Sequence, residues 1–219
     1  MAVKKGRLWV TIILIIILVL PFIAFLMLKE GWKVRTSAPA SSRLIEQPTI
    51  LIPDYQSVSH RGDTITEDRM HGKVCILSFN SGSCGKNFDA EGRKLFEIQE
   101  DYYQKTIHFR NITFTLDPQQ DDTRTMRIMA ERYAARETWH FVRCTDKSDS
   151  LVLDKCYTLL KNNGVQETDP ACPAFVYLVD NDGYLRGFYD PLDEQQFHDL
   201  YNDILFLLNR AELDDEKKN

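Results

Sequence analysis

The run KVCILSFNSGSCGKNFD, residues 73–89, changes character half-way along. Residues 73–80 are a nearly unbroken apolar stretch rich in β-formers, the composition of a central strand buried on both faces. Over residues 86–104 the apolar positions Phe88, Leu95, Phe96, Ile98 and Tyr102 recur near helical spacing. Cys84 therefore stands at a strand-to-helix junction, where the helix dipole and free backbone N–H groups favour a thiolate and Lys86 adds a positive charge. A reactive thiol in such a place ordinarily has a second thiol three or four residues on. Here those positions are Asn87 and Phe88.

Outward from this junction the chain alternates strand and helix signals. SVSHRGDTIT reads as a hairpin around Arg61-Gly62-Asp63. IHFRNITFTLD (107–117) is a second central strand, with Ile112, Phe114 and Leu116 alternating on one face. DDTRTMRIMAERYAA is a helix capped by Asp122 or Thr123, with Met126, Met129, Ala130 and Tyr133 on its apolar side. WHFVRC (139–144) is a short strand, and SDSLVLDKCYTLLKNNG is a helix ending at Gly164. AFVYLVD (174–180) and YLRGFYD (184–190) flank Asn181-Asp182-Gly183, a hairpin-turn signal. Residues 193–209 form a closing amphipathic helix, and ELDDEKKN reads as a disordered tail. The order predicts an α/β domain, a central mixed sheet flanked by helices and ending in an antiparallel hairpin.

Residues 8–28, LWVTIILIIILVLPFIAFLML, are apolar except for Thr11, long enough to span a bilayer core as a helix. A cleaved signal peptide competes, because Lys4, Lys5 and Arg7 form a positive amino-terminal region. The run exceeds an ordinary signal core, however, and SAPAS follows late for cleavage. The expected organisation is a cytoplasmic stretch 1–7, a transmembrane signal anchor 8–28, a linker 29–47, a domain 48–210 and a disordered tail 211–219. Positive residues on the two sides of the span are nearly balanced, with Glu30 tilting the amino terminus inward.

The 219 residues carry a net charge of −5, and after residue 35 the chain holds 21 bases against 31 acids. An acidic domain without a basic stripe argues against nucleic-acid binding. The sequence holds no Gly-rich phosphate loop, no paired catalytic carboxylates and no Ser-His-Asp pattern. Five cysteines, Cys75, Cys84, Cys144, Cys156 and Cys172, contain no C-x-x-C. Cys75 and Cys156 sit in apolar surroundings and read as core, as do Met126 and Met129. None of the five histidines has metal-ligand spacing to a cysteine. The sequon Asn111-Ile112-Thr113 lies inside a strand. Asp117-Pro118 shapes the turn that follows it.

In order and spacing, three segments resemble the Sco/SenC copper-chaperone family, a membrane-anchored branch of the thioredoxin superfamily. IPDYQSVSHRGDTITEDRMHGKVCILSF resembles that family's opening hairpin and first core strand. TFTLDPQQDDTRTMRIMAERYAA resembles its TVDPERDT segment and the helix after it. FVYLVDNDGYLRGFYD resembles its C-terminal hairpin. The resemblance, from about Ile52 to Leu208, implies a thioredoxin-like fold and a copper site of two cysteines in C-x-x-x-C with a distant histidine. Carried over position by position, the first cysteine matches Cys84, the second falls on Phe88, and the histidine falls on Cys172. The resemblance thus implies that Cys84 and Cys172 converge, either as a disulfide-forming redox pair or as two thiolate ligands of Cu(I). Pro173 matches the superfamily's cis-proline. A loop beginning Ser81-Gly82-Ser83-Cys84 is a more distant match to a peroxidase-like site. The implied setting is the inner membrane, single-pass, with the domain in the periplasm and a membrane oxidase or thiol-redox protein as partner. The alternative is a scaffold that kept the fold and lost the chemistry. Oligomeric state is not readable from the sequence.

Overall fold

The structure, a computed structural model, describes residues 17, 19–27, 43–80, 84–117, 121–143, 147–167, 169 and 172–218. The chain divides into two compact units, Met1–Ala38 and Pro39–Asn219. In the first, residues 19–27 form helix α1, whose apolar side chains, Phe22, Phe25 and Met27 among them, are exposed. Among the described residues no helix is long and apolar enough to cross a membrane. Much of the expected span, residues 8–28, lies outside the described residues.

The second unit is built on a seven-stranded mixed sheet. The strands are β1 (Gln56–Ser59), β2 (Thr64–Thr66), β3 (Val74–Asn80), β4 (Phe109–Thr115), β5 (Trp139–Arg143), β6 (Val176–Val179) and β7 (Leu185–Tyr189). They lie in the order β2-β1-β5-β4-β3-β6-β7. β3, β4 and β5 are parallel neighbours, joined through α2 (Gly85–Tyr102) and α3 (Thr123–Arg132). β6 runs antiparallel to β3 and pairs with β7 through the Asn181-Asp182-Gly183 turn, where Gly183 adopts φ of 87°.

Every residue of β3 is buried, as its apolar run requires, because helices cover both faces of the sheet. Val74 and Ile76 face Leu95 and Ile98 of α2 together with Leu200 and Ile204 of α5 (Glu194–Lys218). Cys75, Leu77 and Phe79 face Val152, Cys156 and Leu159 of α4 (Lys147–Asn162). Gly92 lets α2 approach Tyr133, since a Cβ there would lie 2.5 Å from the ring. The Asp122 side chain caps α3 by accepting from the Thr125 N–H at 2.8 Å.

Two expected boundaries move. The linker was expected to run to residue 47, but Arg43 N–H bonds Asp203 at 3.1 Å and Ile45 N–H bonds the Arg186 carbonyl at 2.7 Å. The domain therefore begins before the first apolar strand signal. The tail from residue 211 was expected to be disordered, yet α5 continues to Lys218. Ala211 is buried in the core, and Asp215 lies 3.5 Å from His108, so docking holds the helix beyond its last apolar stripe.

Candidate functional site

β3 ends at Asn80, and Cys84 occupies the N-cap position of α2. β6 is antiparallel to β3, with Leu77 opposite Tyr177, so the segment entering β6 lies beside the end of β3. That segment is Cys172-Pro173-Ala174-Phe175. Sheet topology thus brings together two cysteines that are 88 residues apart in sequence. They form a disulfide with a Cα–Cα separation of 5.5 Å, in the middle of the range a disulfide needs.

Both cysteines line a cavity of 160 Å³, together with Asn80, Phe88, Glu91 and Leu192. Leu192 is 48% exposed and marks the outer rim, whereas Phe88 and Glu91 are buried. Pro173 and Ala174 complete the wall on the β6 side. Cys172 N–H donates to the Asp169 carbonyl at 3.0 Å, and Ala174 N–H donates to Glu167 Oε1 at 3.2 Å.

The expectation of a cis peptide before Pro173 is corrected: no cis peptide bond occurs among the described residues. Trans is the ground state even for X-Pro, and here Cys172 is located by its disulfide and backbone hydrogen bonds. Asp117 is half-buried and is not part of the cavity wall. Its carbonyl accepts from Asp121 N–H at 2.8 Å, so it shapes the turn after β4.

Glu91 is the site residue that sequence reasoning missed. It lies in the α2 stripe that runs through Cys84, Phe88, Leu95 and Ile98, where apolar residues belong. A glutamate in that register was the available signal. Its Oε1 has no hydrogen-bond partner among the described residues. Burial, reinforced by the nearby acids Asp190 and Glu167, holds its carboxyl well above the ordinary range, so it stays protonated where exposed glutamates are charged.

Two of the other cysteines belong to the core. Cys75 and Cys156 are free and fully buried, and desolvation pushes the Cys75 thiol up to about 12 and the Cys156 thiol upward as well. Cys144 lies outside the described residues. Met126 packs in the core, and Met129 Sδ accepts from Asn80 Nδ2 at 3.6 Å. Asn111 is fully buried.

The SCO1/SenC family description matches residues 45–204. The chain belongs to that family. A SCO2-like protein of Rickettsia felis is 24% identical over 143 residues, covering 62% of this chain and 68% of the relative. The structure of BsSco is described with a disulfide switch, and BsSco as a member of the Sco family of cytochrome c oxidase assembly proteins. It aligns with a TM-score of 0.57 at 18% identity, covering 75% of this chain and 98% of BsSco. Yeast Sco1 with copper bound aligns with a TM-score of 0.52 at 17% identity, covering 73% of this chain and 92% of the yeast chain. These structural likenesses establish the thioredoxin-like fold.

The family's three-ligand copper set does not fit the residues present. Phe88 stands where the second cysteine is expected, and its buried ring packs edge-on against Tyr133 at 5.2 Å. The histidine position is Cys172, whose sulfur is bonded to that of Cys84. Among the described residues no group of three His, Cys, Asp or Glu side chains could hold a metal ion.

Proposed function

We propose that this SCO1/SenC-family protein is a membrane-tethered, extracytoplasmic thiol–disulfide exchange protein whose working pair is Cys84 and Cys172. The observation that carries the reading is the disulfide between them, set at the mouth of a helix and opening on a cavity. Exchange with a partner dithiol balances as follows. A partner thiolate attacks one sulfur, the Cys84–Cys172 bond breaks, and the departing cysteine leaves as a thiolate. The partner's second thiol, once deprotonated, attacks the mixed disulfide. The partner ends oxidised, and both cysteines end as thiols.

An oxidising, extracytoplasmic location is supported by the disulfide itself. Anchoring is supported by the apolar run 8–28 and by the exposed apolar side chains of α1. A membrane oxidase undergoing assembly is the partner class that BsSco suggests, with the reactive group on it a cysteine pair.

The test is thiol counting on the full chain in detergent. The reading expects reversible gain of two thiols on treatment with a dithiol, and no gain in Cys84→Ser or in Cys172→Ser, where the remaining cysteine is a free thiol before reduction. A pair that never reduces, or never re-forms, favours instead a fold kept for binding alone. That second reading draws its support from the loss of a thiol at Phe88. Adding one equivalent of Cu(I) to the reduced protein checks the donor-set argument. Retention against a chelator, lost in both variants, would replace exchange by a two-thiolate copper site.

A further inference from the structure

We infer that Glu91 is the proton donor and acceptor for the Cys84–Cys172 pair: its buried carboxyl shares a cavity with both sulfurs and is placed to protonate the cysteine that leaves when the disulfide opens. This rests on the exchange reading above. Three observations converge on it. Glu91 occupies a core register of α2, two turns after Cys84, so its side chain lies on the same face as that cysteine. It lines the 160 Å³ cavity with both cysteines and with Asn80. Its Oε1 and the Asn80 Oδ1 are buried with no hydrogen-bond partner among the described residues.

A carboxyl left unsatisfied in a core costs stability, so the position calls for an explanation. A structural role would pair it, and no pair is present among the described residues. The charged groups that act on Glu91 are Asp190, after β7, and Glu167, before the Cys172 segment. Both are acidic, and with burial they hold the carboxyl in its protonated form, which is the form a proton donor needs.

The chemistry balances with a dithiol as reductant. The reductant's thiolate attacks one sulfur, and the S–S electron pair leaves on the other. That thiolate takes the Glu91 proton, directly or through one water, giving a thiol and a carboxylate. The carboxylate then accepts the proton of the reductant's second thiol as that sulfur attacks the mixed disulfide, which restores the acid. The second cysteine leaves and takes a proton from solvent.

The experiment follows the rate of disulfide reduction by dithiothreitol against pH in the full chain, with the rate expressed per reductant thiolate. The wild type is expected to lose rate as pH rises through the ionisation of Glu91. Glu91→Gln, which keeps the shape and removes the proton, is expected to be flat with pH and slower by on the order of 10²-fold on the acidic side. Glu91→Asp is expected to retain the inflection at reduced rate. An infrared difference spectrum between oxidised and reduced wild type needs no variant. Because the acid is restored at the end of the cycle, it is expected to show a shifted protonated-carboxyl band, the neighbour having changed from a disulfide to two thiols. Unchanged profiles in Glu91→Gln overturn the role while leaving the exchange reading standing, as does a silent carboxyl region. A disulfide that cannot be cycled overturns both, and thiol counting reveals that case separately.

Discussion

Phe88 separates this chain from a C-x-x-x-C site, and its surroundings show how firmly the change is built in. The ring is 6% exposed and packs edge-on against Tyr133 at 5.2 Å and Phe141 at 6.5 Å. Restoring a cysteine with Phe88→Cys removes most of a buried aromatic side chain and opens a cavity between α2 and β5. The expected cost is roughly 2–4 kcal/mol, read as a lower denaturant midpoint at unchanged slope. A variant as stable as the wild type would mean that the Phe88 pocket collapses without penalty. Glu91, one turn on, carries the opposite sign. It is a polar group where an apolar one would be more stable, so chemistry accounts for its presence better than packing does.

At the scale of elements, the β6–β7 hairpin frames the site from one side. Asp180 organises it: its carboxylate accepts from Asp182 N–H at 3.1 Å and Tyr184 N–H at 2.9 Å, and from Arg186 Nη1 at 3.1 Å. Both ion-pair partners are buried, at 5% and 6% exposure. Asp180→Ala strands the Arg186 guanidinium and is expected to cost about 3–5 kcal/mol. Asp180→Ala combined with Arg186→Met is expected to recover part of that, and an additive double variant in chemical denaturation would argue against a coupled pair. The hairpin was legible in the sequence because Asn181-Asp182-Gly183 offers a residue for positive φ, and β3 was legible because its buried run from Val74 to Phe79 is apolar but for Ser78. The end of α5 was not, since its last turns are charged and are held by Ala211 and by Asp215 near His108. Cys84 was legible from its junction. Its partner was reached through the family resemblance, because residues 88 apart leave no local trace of pairing. Glu91 was not legible because Phe88, Leu95 and Ile98 carry the apolar signal of the stripe without it.

Across the whole molecule, stability against pH is set by buried groups of opposite sign. Burial, with Arg61 nearby, lowers the pKa of both His60 and His140 to about 4. His60 Nδ1 already accepts from Phe141 N–H at 3.2 Å, so a proton there would break a backbone bond. Unfolded, both rings titrate near 6.5. The unfolded chain therefore binds more protons between pH 6.5 and 4. The histidine contribution is whole above pH 6.5 and is lost as pH falls toward 4, on the order of 3 kcal/mol for each ring. Glu91 opposes it. Its folded pKa is raised, so its contribution grows as pH falls toward its unfolded value near 4.5. Carboxylates held below their ordinary range, Asp63 and Asp89 among them, act mainly below pH 4 and leave the window clear. Unfolding free energy measured from pH 7 to 4 is therefore expected to fall, more steeply in Glu91→Gln, where the opposing term is gone, and more shallowly in His140→Gln. Glu91→Gln is also expected to be the more stable protein at pH 7, because the wild type must there either keep its carboxyl protonated or bury a charge. Equal slopes in wild type and Glu91→Gln would mean that the carboxyl ionises in the folded protein as it does in the unfolded chain, and would remove the basis for assigning it a proton to give.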